Sequence, residues 1–373
     1  MKQTKTRRNV LKAAGASVIA LGGTRVSAGH EELREVNVGF ETESARRFAL
    51  EASNEVVREF DSINAVTIRV PEQAITALES APDVRYVEEN GRMHALAETL
   101  PWGVDRIDAD VAQTNGYTGA GADVAVVDTG IGADHPDLQA NLGTGKTYHG
   151  SSWSDENGHG THVAGTTAAV NDYSGVGSIA PGANLHAVKA LNSSGSGSYS
   201  DIAAGIEWAA NQGHDVINLS IGGSKSSTVE STAEYAYGLG SLLVGAGGGS
   251  GPCGDCVGYP AAEPEVIAVG ATNENDNRAS FSSTGPEIEL AGPGTNIYST
   301  YYDNTYQTLS GTSMATAHVS GAAAQVAALG YSNTDARQRL RNTAEDLGLS
   351  SDEQGDGLVD VAAALGLDSS DST

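Results

Sequence analysis

Cysteine is almost absent: the 373 residues hold two, Cys253 and Cys256. Two thiols cannot complete a four-ligand zinc site without help from His or Asp. No thioredoxin-like context surrounds their Pro-Cys-Gly-Asp-Cys setting. Proline is scarce at 10, whereas glycine reaches 47, a balance that suits a fold with many tight turns. The apolar stretch near the N-terminus, about Ala13 to Gly23, is too short to span a bilayer as a helix. No internal repeat is apparent. No Gly-x-Ser-x-Gly elbow occurs, which removes support for a serine enzyme of the α/β-hydrolase type.

Positive charge is also missing from most of the chain. The formal net charge is −26, and residues 97–373 carry 33 acidic against 8 basic residues, with only three lysines, Lys146, Lys189 and Lys225. Nucleic acid and anionic membranes are disfavoured as partners by that sign. Self-repulsion on this scale is tolerable when the Debye length falls to about 3 Å, as it does near 1 M salt. The composition therefore reads as a protein that stays soluble in concentrated salt.

The N-terminus, by contrast, is basic. Lys-Thr-Arg-Arg-Asn-Val-Leu-Lys runs from Lys5 to Lys12, the short apolar stretch follows, and Val26-Ser27-Ala28 offers small residues for cleavage. Residues 1–28 resemble a twin-arginine export signal, which implies a secreted, extracellular protein. Residues 1–96 are together nearly balanced, with 13 basic and 14 acidic residues, and residues 29–96 form a second unit. Strands are expected at 36–40, 65–70 and 84–88 and helices at 42–59 and 71–80, a small two-layer α+β domain. From Ala97 onward apolar strands alternate with helices. The strands are Asp123–Val127, Leu185–Ala190, Asp215–Ser220, Ser241–Val244 and Val266–Gly270, and the helices are His159–Val170, Ser200–Gln212, Ser227–Gly238 and Ser313–Leu329. This alternation predicts an α/β fold with a mostly parallel sheet and helices on both faces.

Three segments carry chemistry. Asp128 ends an apolar strand in Val-Val-Asp-Thr-Gly, His159 opens a helix in Asn-Gly-His-Gly-Thr-His, and Ser313 opens another in Ser-Gly-Thr-Ser-Met-Ala. A serine hydroxyl is a poor nucleophile near neutrality. It needs a base within hydrogen-bond reach, and that base needs a third group to hold its tautomer. A serine in the first turn of a helix also places its own N–H where an oxyanion would form. Each segment alone is a weak signal. The order Asp, His, Ser within one α/β unit is specific.

With those segments in view, the chain resembles the subtilisin-like serine proteases (subtilases) over essentially all of residues 31–365. The matches include His135-Pro136-Asp137-Leu138 after the first segment and Gly311-Thr-Ser-Met-Ala-Thr at the third. The acidic part is similar to the secreted proteases of salt-loving archaea. The resemblance implies a serine endopeptidase in residues 97–373, acting through an acyl-enzyme, with Ser313 as nucleophile, His159 as base and then acid, and Asp128 as orienting carboxylate. It makes His162 structural. It makes residues 29–96 an inhibitory propeptide removed by cleavage between Leu96 and Ala97. Gly195, Ser196 and Gly197 with Ser220, Ile221 and Gly222 would flank an extended substrate as neighbouring strands. Gly222, Gly245 and Gly247 would line a roomy apolar slot for the residue before the cut, giving broad specificity with a preference for large apolar residues.

The same resemblance implies a structural Ca²⁺ held by Glu98, Asp137 and Asp172 and by the carbonyls of Val170, Ser174 and Val176, all hard oxygen ligands. It suggests a weaker cation site near Ala261, Glu263 and Glu289, and a cis bond at Tyr259-Pro260. In an exported protein Cys253 and Cys256 are expected to form a local disulfide at the pocket rim. Partners are expected to be protein or peptide substrates and the chain's own propeptide, with a monomer as the working state. Two departures stand out. The family's oxyanion-binding Asn is replaced by Gly248, leaving the Ser313 N–H and Thr312, and its usual Pro before His318 is Ala317. Gly248 keeps open a different reading, a catalytically impaired relative that binds peptides. An esterase or other serine hydrolase is a further alternative.

Overall fold

The computed structural model describes residues 33–91, 98–172 and 174–368. The expected leader, residues 1–28, and the expected cut between Leu96 and Ala97 lie outside them. The chain divides into two compact units, one up to Met93 and one from His94. Among the described residues no helix is long and apolar enough to cross a membrane.

The first unit runs β1 (Leu33–Phe40), α1 (Glu43–Ala52), β2 (Glu55–Glu59), β3 (Ala65–Pro71), α2 (Glu72–Glu79) and β4 (Val84–Glu89). Its strands form an antiparallel sheet in the order β2-β3-β1-β4. Alternation on β1 and β3 turns Val36, Val38, Val66, Ile68 and Val70 to one side, where they pack on Ala45, Ala49 and Leu78 of the two helices. The helix expected over 42–59 is shorter. It starts at the Thr42 cap, whose hydroxyl accepts from the Ala45 N–H, and ends at Ala52. The remainder becomes β2, because Val56 and Val57 are β-branched and β3 offers an open edge.

The second unit contains α3 (Trp102–Arg106), α4 (Ala109–Thr114), β5 (Asp123–Asp128), α5 (Pro136–Gln139), β6 (Lys146–Thr147), α6 (His159–Ala168), β7 (Asn184–Lys189), α7 (Tyr199–Gln212) and β8 (Val216–Leu219). It continues with α8 (Ser227–Gly238), β9 (Leu242–Ala246), β10 (Val266–Thr272), β11 (Ile288–Pro293), β12 (Ile297–Tyr301), β13 (Thr305–Leu309), α9 (Thr312–Ala327), α10 (Asn333–Asn342), α11 (Ser351–Gln354) and α12 (Val361–Leu365). Seven strands make a sheet of order β11-β10-β9-β8-β5-β7-β6, parallel at each pairing. Buried on both faces, such strands read as continuous apolar runs. On β5, Val124 and Val126 join the core under α6 and α9, while Ala125 and Val127 join the core under α7 and α8.

Chain order reverses around β5: the path crosses to β7 on one side and then to β8 on the other. In open α/β sheets that switch point opens a crevice at the carboxyl ends of the strands. Asp128 is the last residue of β5, and Ser220 follows β8. The β12–β13 hairpin, not expected from the sequence, pairs Ile297–Tyr301 with Thr305–Leu309 and packs against α6.

Candidate active site

Strand β5 delivers Asp128 to the crevice with its side chain fully buried. Its Oδ1 accepts from the Thr129 N–H at 2.7 Å. His159 Nδ1 lies 2.8 Å from Asp128 Oδ1 and 2.9 Å from Oδ2. A carboxylate accepts, so Nδ1 carries the proton, and Nε2 is left with a lone pair, the tautomer a general base requires. Burial pulls the imidazole pKa down, but the charge and hydrogen bond of Asp128, joined by the charge of Asp155, outweigh it and leave the pKa above the ordinary histidine value. Such a base works once pH rises above that raised value and is protonated below it.

Small residues allow the close approach of α6. A Cβ at Gly160 would collide with the Gly130 carbonyl and press on the Asp128 side chain. One turn on, His162 is fully buried, with Nε2 3.0 Å from the Ile297 carbonyl and 3.1 Å from that of Gln307. Burial lowers its pKa to about 4. This ring is a neutral tie between α6 and the β12–β13 hairpin.

Ser313 occupies the first turn of α9 after Gly311. Its Oγ donates to the Ser220 carbonyl at 3.2 Å, and Ser220 Oγ donates back to the Ser313 carbonyl at 3.0 Å. Ser220 and His159 line one cleft of about 810 Å³, together with Gly195, Ser196, Gly197, Ile221 and Gly222. Leu191, Tyr199, Ile202 and Val229 supply apolar wall. The expected substrate-flanking segments therefore line the same cleft. A Cβ at Gly222 would meet open space. At the other two glycines assigned to the slot, the place a side chain would take is already filled. Gly245 is held against Val266 and Ala261, and Gly247 against Ile288 and the Val269 carbonyl, so their missing side chains serve sheet packing.

Gly248 has φ +109°, and its N–H donates to Thr312 Oγ1 at 3.1 Å. That bond leaves the Thr312 hydroxyl proton to be offered elsewhere. Ala317 is fully buried in α9, and the neighbouring His318 Nδ1 lies 2.7 Å from the Met314 carbonyl.

The expected calcium ligands gather around Asp137. Its Oδ2 accepts from the Val176 N–H at 3.0 Å, Tyr306 OH lies 3.0 Å from each carboxylate oxygen, and its carbonyl accepts from the Val170 N–H at 2.8 Å. Thr99 bridges to Val176, bringing the neighbouring Glu98 to the same loop, where Gly175 (φ +72°) leaves no room for a Cβ beside Asp137. Burial pushes the Asp137 carboxyl above the usual carboxylate range. A nearby cation would stabilise its charged form. Among the described residues no group of three His, Cys, Asp or Glu side chains is spaced to hold a metal; the expected set depends on backbone carbonyls. Of the residues named for the weaker cation position, Glu289 is paired within the protein. Glu289 takes Arg337 Nε at 2.7 Å and NH2 at 2.5 Å, and Arg337 also donates to the Pro264 and Val266 carbonyls.

Cys253 and Cys256 are disulfide-bonded, and the Tyr259–Pro260 peptide is cis. Sequence reasoning passed over Asp155, Asn157 and Lys189, which build the turn before His159. The signal for Asp155 and Asn157 is the run Ser-Asp-Glu-Asn-Gly-His, where Asp and Asn flank a tight turn, and for Lys189 it is a lysine at the end of a largely apolar strand.

Comparison with known proteins points to one family. Residues 119–358 match the subtilase family, and residues 33–90 match the fervidolysin N-terminal prodomain. An alkaline protease of Shouchella clausii is 43% identical over 365 residues, 93% of this chain and 95% of the relative. Subtilisin DY of Bacillus licheniformis is 49% identical over 277 residues, 72% of this chain and 99% of the relative. Subtilisin E of Bacillus subtilis is 44% identical over 322 residues, 84% of each chain. With a parallel α/β sheet whose β5 ends in Asp128, hydrogen-bonded to His159 at the start of α6, and with that breadth of likeness, the chain belongs to the subtilase family and is a serine endopeptidase carrying an N-terminal prodomain.

Proposed function

We propose that this endopeptidase cleaves peptide bonds with Ser313 as nucleophile, His159 as general base and then acid, and Asp128 as the group that orients it. The observation that carries the reading is the Asp128–His159 pair, bound through Nδ1, with His159 lining one cleft with Ser220, whose carbonyl accepts from the Ser313 hydroxyl. His159 Nε2 removes the Ser313 proton as Oγ attacks the scissile carbonyl, then returns it to the departing amine. Water deacylates the enzyme by the same route. The developing oxyanion meets the Ser313 N–H, with the Thr312 hydroxyl as a second donor and no Asn amide, since residue 248 is Gly. Turnover is accordingly slowed. A peptide-binding role without catalysis is not favoured.

The cleft admits an extended peptide between the Gly195–Gly197 and Ser220–Gly222 segments, main chain to main chain. That mode gives broad sequence tolerance, and the open space at Gly222 suits a large apolar residue before the cut. Peptide amides with Leu or Phe before the cut should turn over faster than matched Asp or Lys substrates in concentrated salt. Equal rates across that series would contradict the apolar slot.

We further propose that residues 1–28 direct export, that the unit ending near Leu96 inhibits the enzyme until it is cut away at Ala97, and that the mature protein works as an extracellular monomer in concentrated salt, without nucleic-acid or membrane partners. Its excess of acidic residues, 33 against 8 basic in residues 97–373, supports the last reading.

Glu98, Asp137 and Asp172, with the Val170, Ser174 and Val176 carbonyls, would hold one Ca²⁺, which would pin the 170–176 loop. A ligand that binds only the folded state stabilises by mass action, about 2.7 kcal/mol at a hundredfold excess over Kd. Chelation should therefore lower the melting temperature, with recovery on adding Ca²⁺ but not Mg²⁺. An unchanged melting temperature would count against the site.

A further inference from the structure

Four residues before His159 stands a carboxylate that the triad itself does not require. Asp155 is 7% exposed. Its Oδ1 accepts from the N–H groups of Asn157 at 2.9 Å and Gly158 at 3.0 Å, and its Oδ2 from the Thr161 N–H at 3.0 Å and the Thr161 hydroxyl at 2.6 Å. These donors lie on both sides of His159, so one side chain closes a ring around the turn that presents the imidazole. The turn has a floor. Lys189, the register partner of Asp128 on the next strand and only 1% exposed, donates to the Ser154 carbonyl at 2.8 Å and to Glu156 at 2.7 Å. A buried ammonium is unfavourable unless its bonds are made; here they are spent on the residues flanking Asp155. Tyr301 covers the other side, packed where a Cβ on Gly158 would sit.

We propose that Asp155 is a positioning residue for the catalytic histidine: it fixes the 155–161 turn on both sides of His159 and adds to Asp128 a second fixed negative charge near the imidazole. The proposal rests on the triad reading above. The charged and titratable groups around His159 are Asp128 from β5, Asp155 and Glu156 from the turn, Lys189 from β7, Tyr301 from β12 and His162 on α6. Glu156 is paired with Lys189, and His162 is neutral above about pH 4. Asp128 and Asp155 are the two charges that hold the imidazole pKa up. Both favour the imidazolium formed when Ser313 Oγ passes its proton to Nε2. Buried groups keep such interactions in strong salt better than exposed ones do.

The test is the pH profile of kcat/KM for the full-length enzyme after processing, in concentrated salt. Asp155→Asn keeps the shape and removes the charge; its acid limb should move down by about half a pH unit or more, with kcat reduced about tenfold. Thr161→Val keeps the charge and removes one bond to Asp155, along with the acceptor of the Gly132 N–H, so kcat should fall while the acid limb stays in place. An Asp155→Asn acid limb coincident with wild type would overturn the proposal. So would a Thr161→Val enzyme of unchanged kcat, which decides the matter even if Asp155→Asn does not fold. Hydrolysis retained by a Ser313→Ala enzyme would instead sink the triad reading itself, so the two failures are distinguishable.

Discussion

Replacing Ser313 by Ala is expected to reduce peptide-amide turnover by about 10⁶-fold, with KM little changed; the magnitude is carried over from a subtilisin. The size follows from how the parts act as a unit. Asp128 and His159 exist here as a preassembled pair, 2.8 Å apart, and without the Ser313 hydroxyl they have no nucleophile to activate. On the proposed reading, substrate is held instead by the Gly195–Gly197 and Ser220–Gly222 segments, from which the substitution takes only the Ser313 hydroxyl's bond to the Ser220 carbonyl. Residual hydrolysis above water would come from the remaining oxyanion donors and from binding alone. His159→Ala should lose nearly as much, and combining the two should cost little more than either one. Additive losses would mean that the residues do not act in one proton-transfer path.

The second large effect concerns Gly248. One oxyanion donor is worth about 10²–10³ in kcat, a range that comes from a subtilisin and is carried over. Supplying the amide is not a simple addition here, because residue 248 has φ +109° and a Cβ would stand 3.0 Å from Ser283 Oγ. Strain of that kind costs about 1–3 kcal/mol. The informative comparison is therefore Gly248→Asn against Gly248→Ala, which carry the same Cβ at the same φ. Both should melt below wild type. The Asn enzyme should exceed the Ala enzyme in kcat by about 10² or more. KM should be equal in the two, since the oxyanion exists only beyond the ground state. Equal kcat values would show that the Ser313 N–H and Thr312 hydroxyl already satisfy the oxyanion, and that Gly248 is no defect.

Much of this was legible in the residues, for identifiable reasons. The sheet strands β5, β7, β8, β9 and β10 are buried on both faces and read as apolar runs. Asp128, His159 and Ser313 each sit at an element boundary with a distinctive neighbour set. The losses come where tertiary contacts decide. Val56 and Val57 looked like part of a helix because nothing local shows that β3 offers them an edge. The β12–β13 hairpin turns on Asp303 and Asn304, both at positive φ, and is held by the His162 ring from 135 residues away, a partner no local pattern reveals. Glycines are ambiguous in the same way. Gly222 faces open space, whereas Gly245 and Gly247 make room for the next strand, and only packing separates the two uses. Asp155 was hidden among many acids. Its role depends on being buried, and composition alone gives no sign of which carboxylates are.

The central claim, that Ser313 cuts peptide bonds, is tested most directly by the chain's own prodomain. Wild type and Ser313→Ala should be expressed side by side in concentrated salt and their intact masses measured. Wild type is predicted to begin at Ala97, while Ser313→Ala keeps the residues up to Leu96. A Ser313→Ala protein processed at the same bond in the same preparation, with added protease inhibitors and no other peptidase present, would contradict the account.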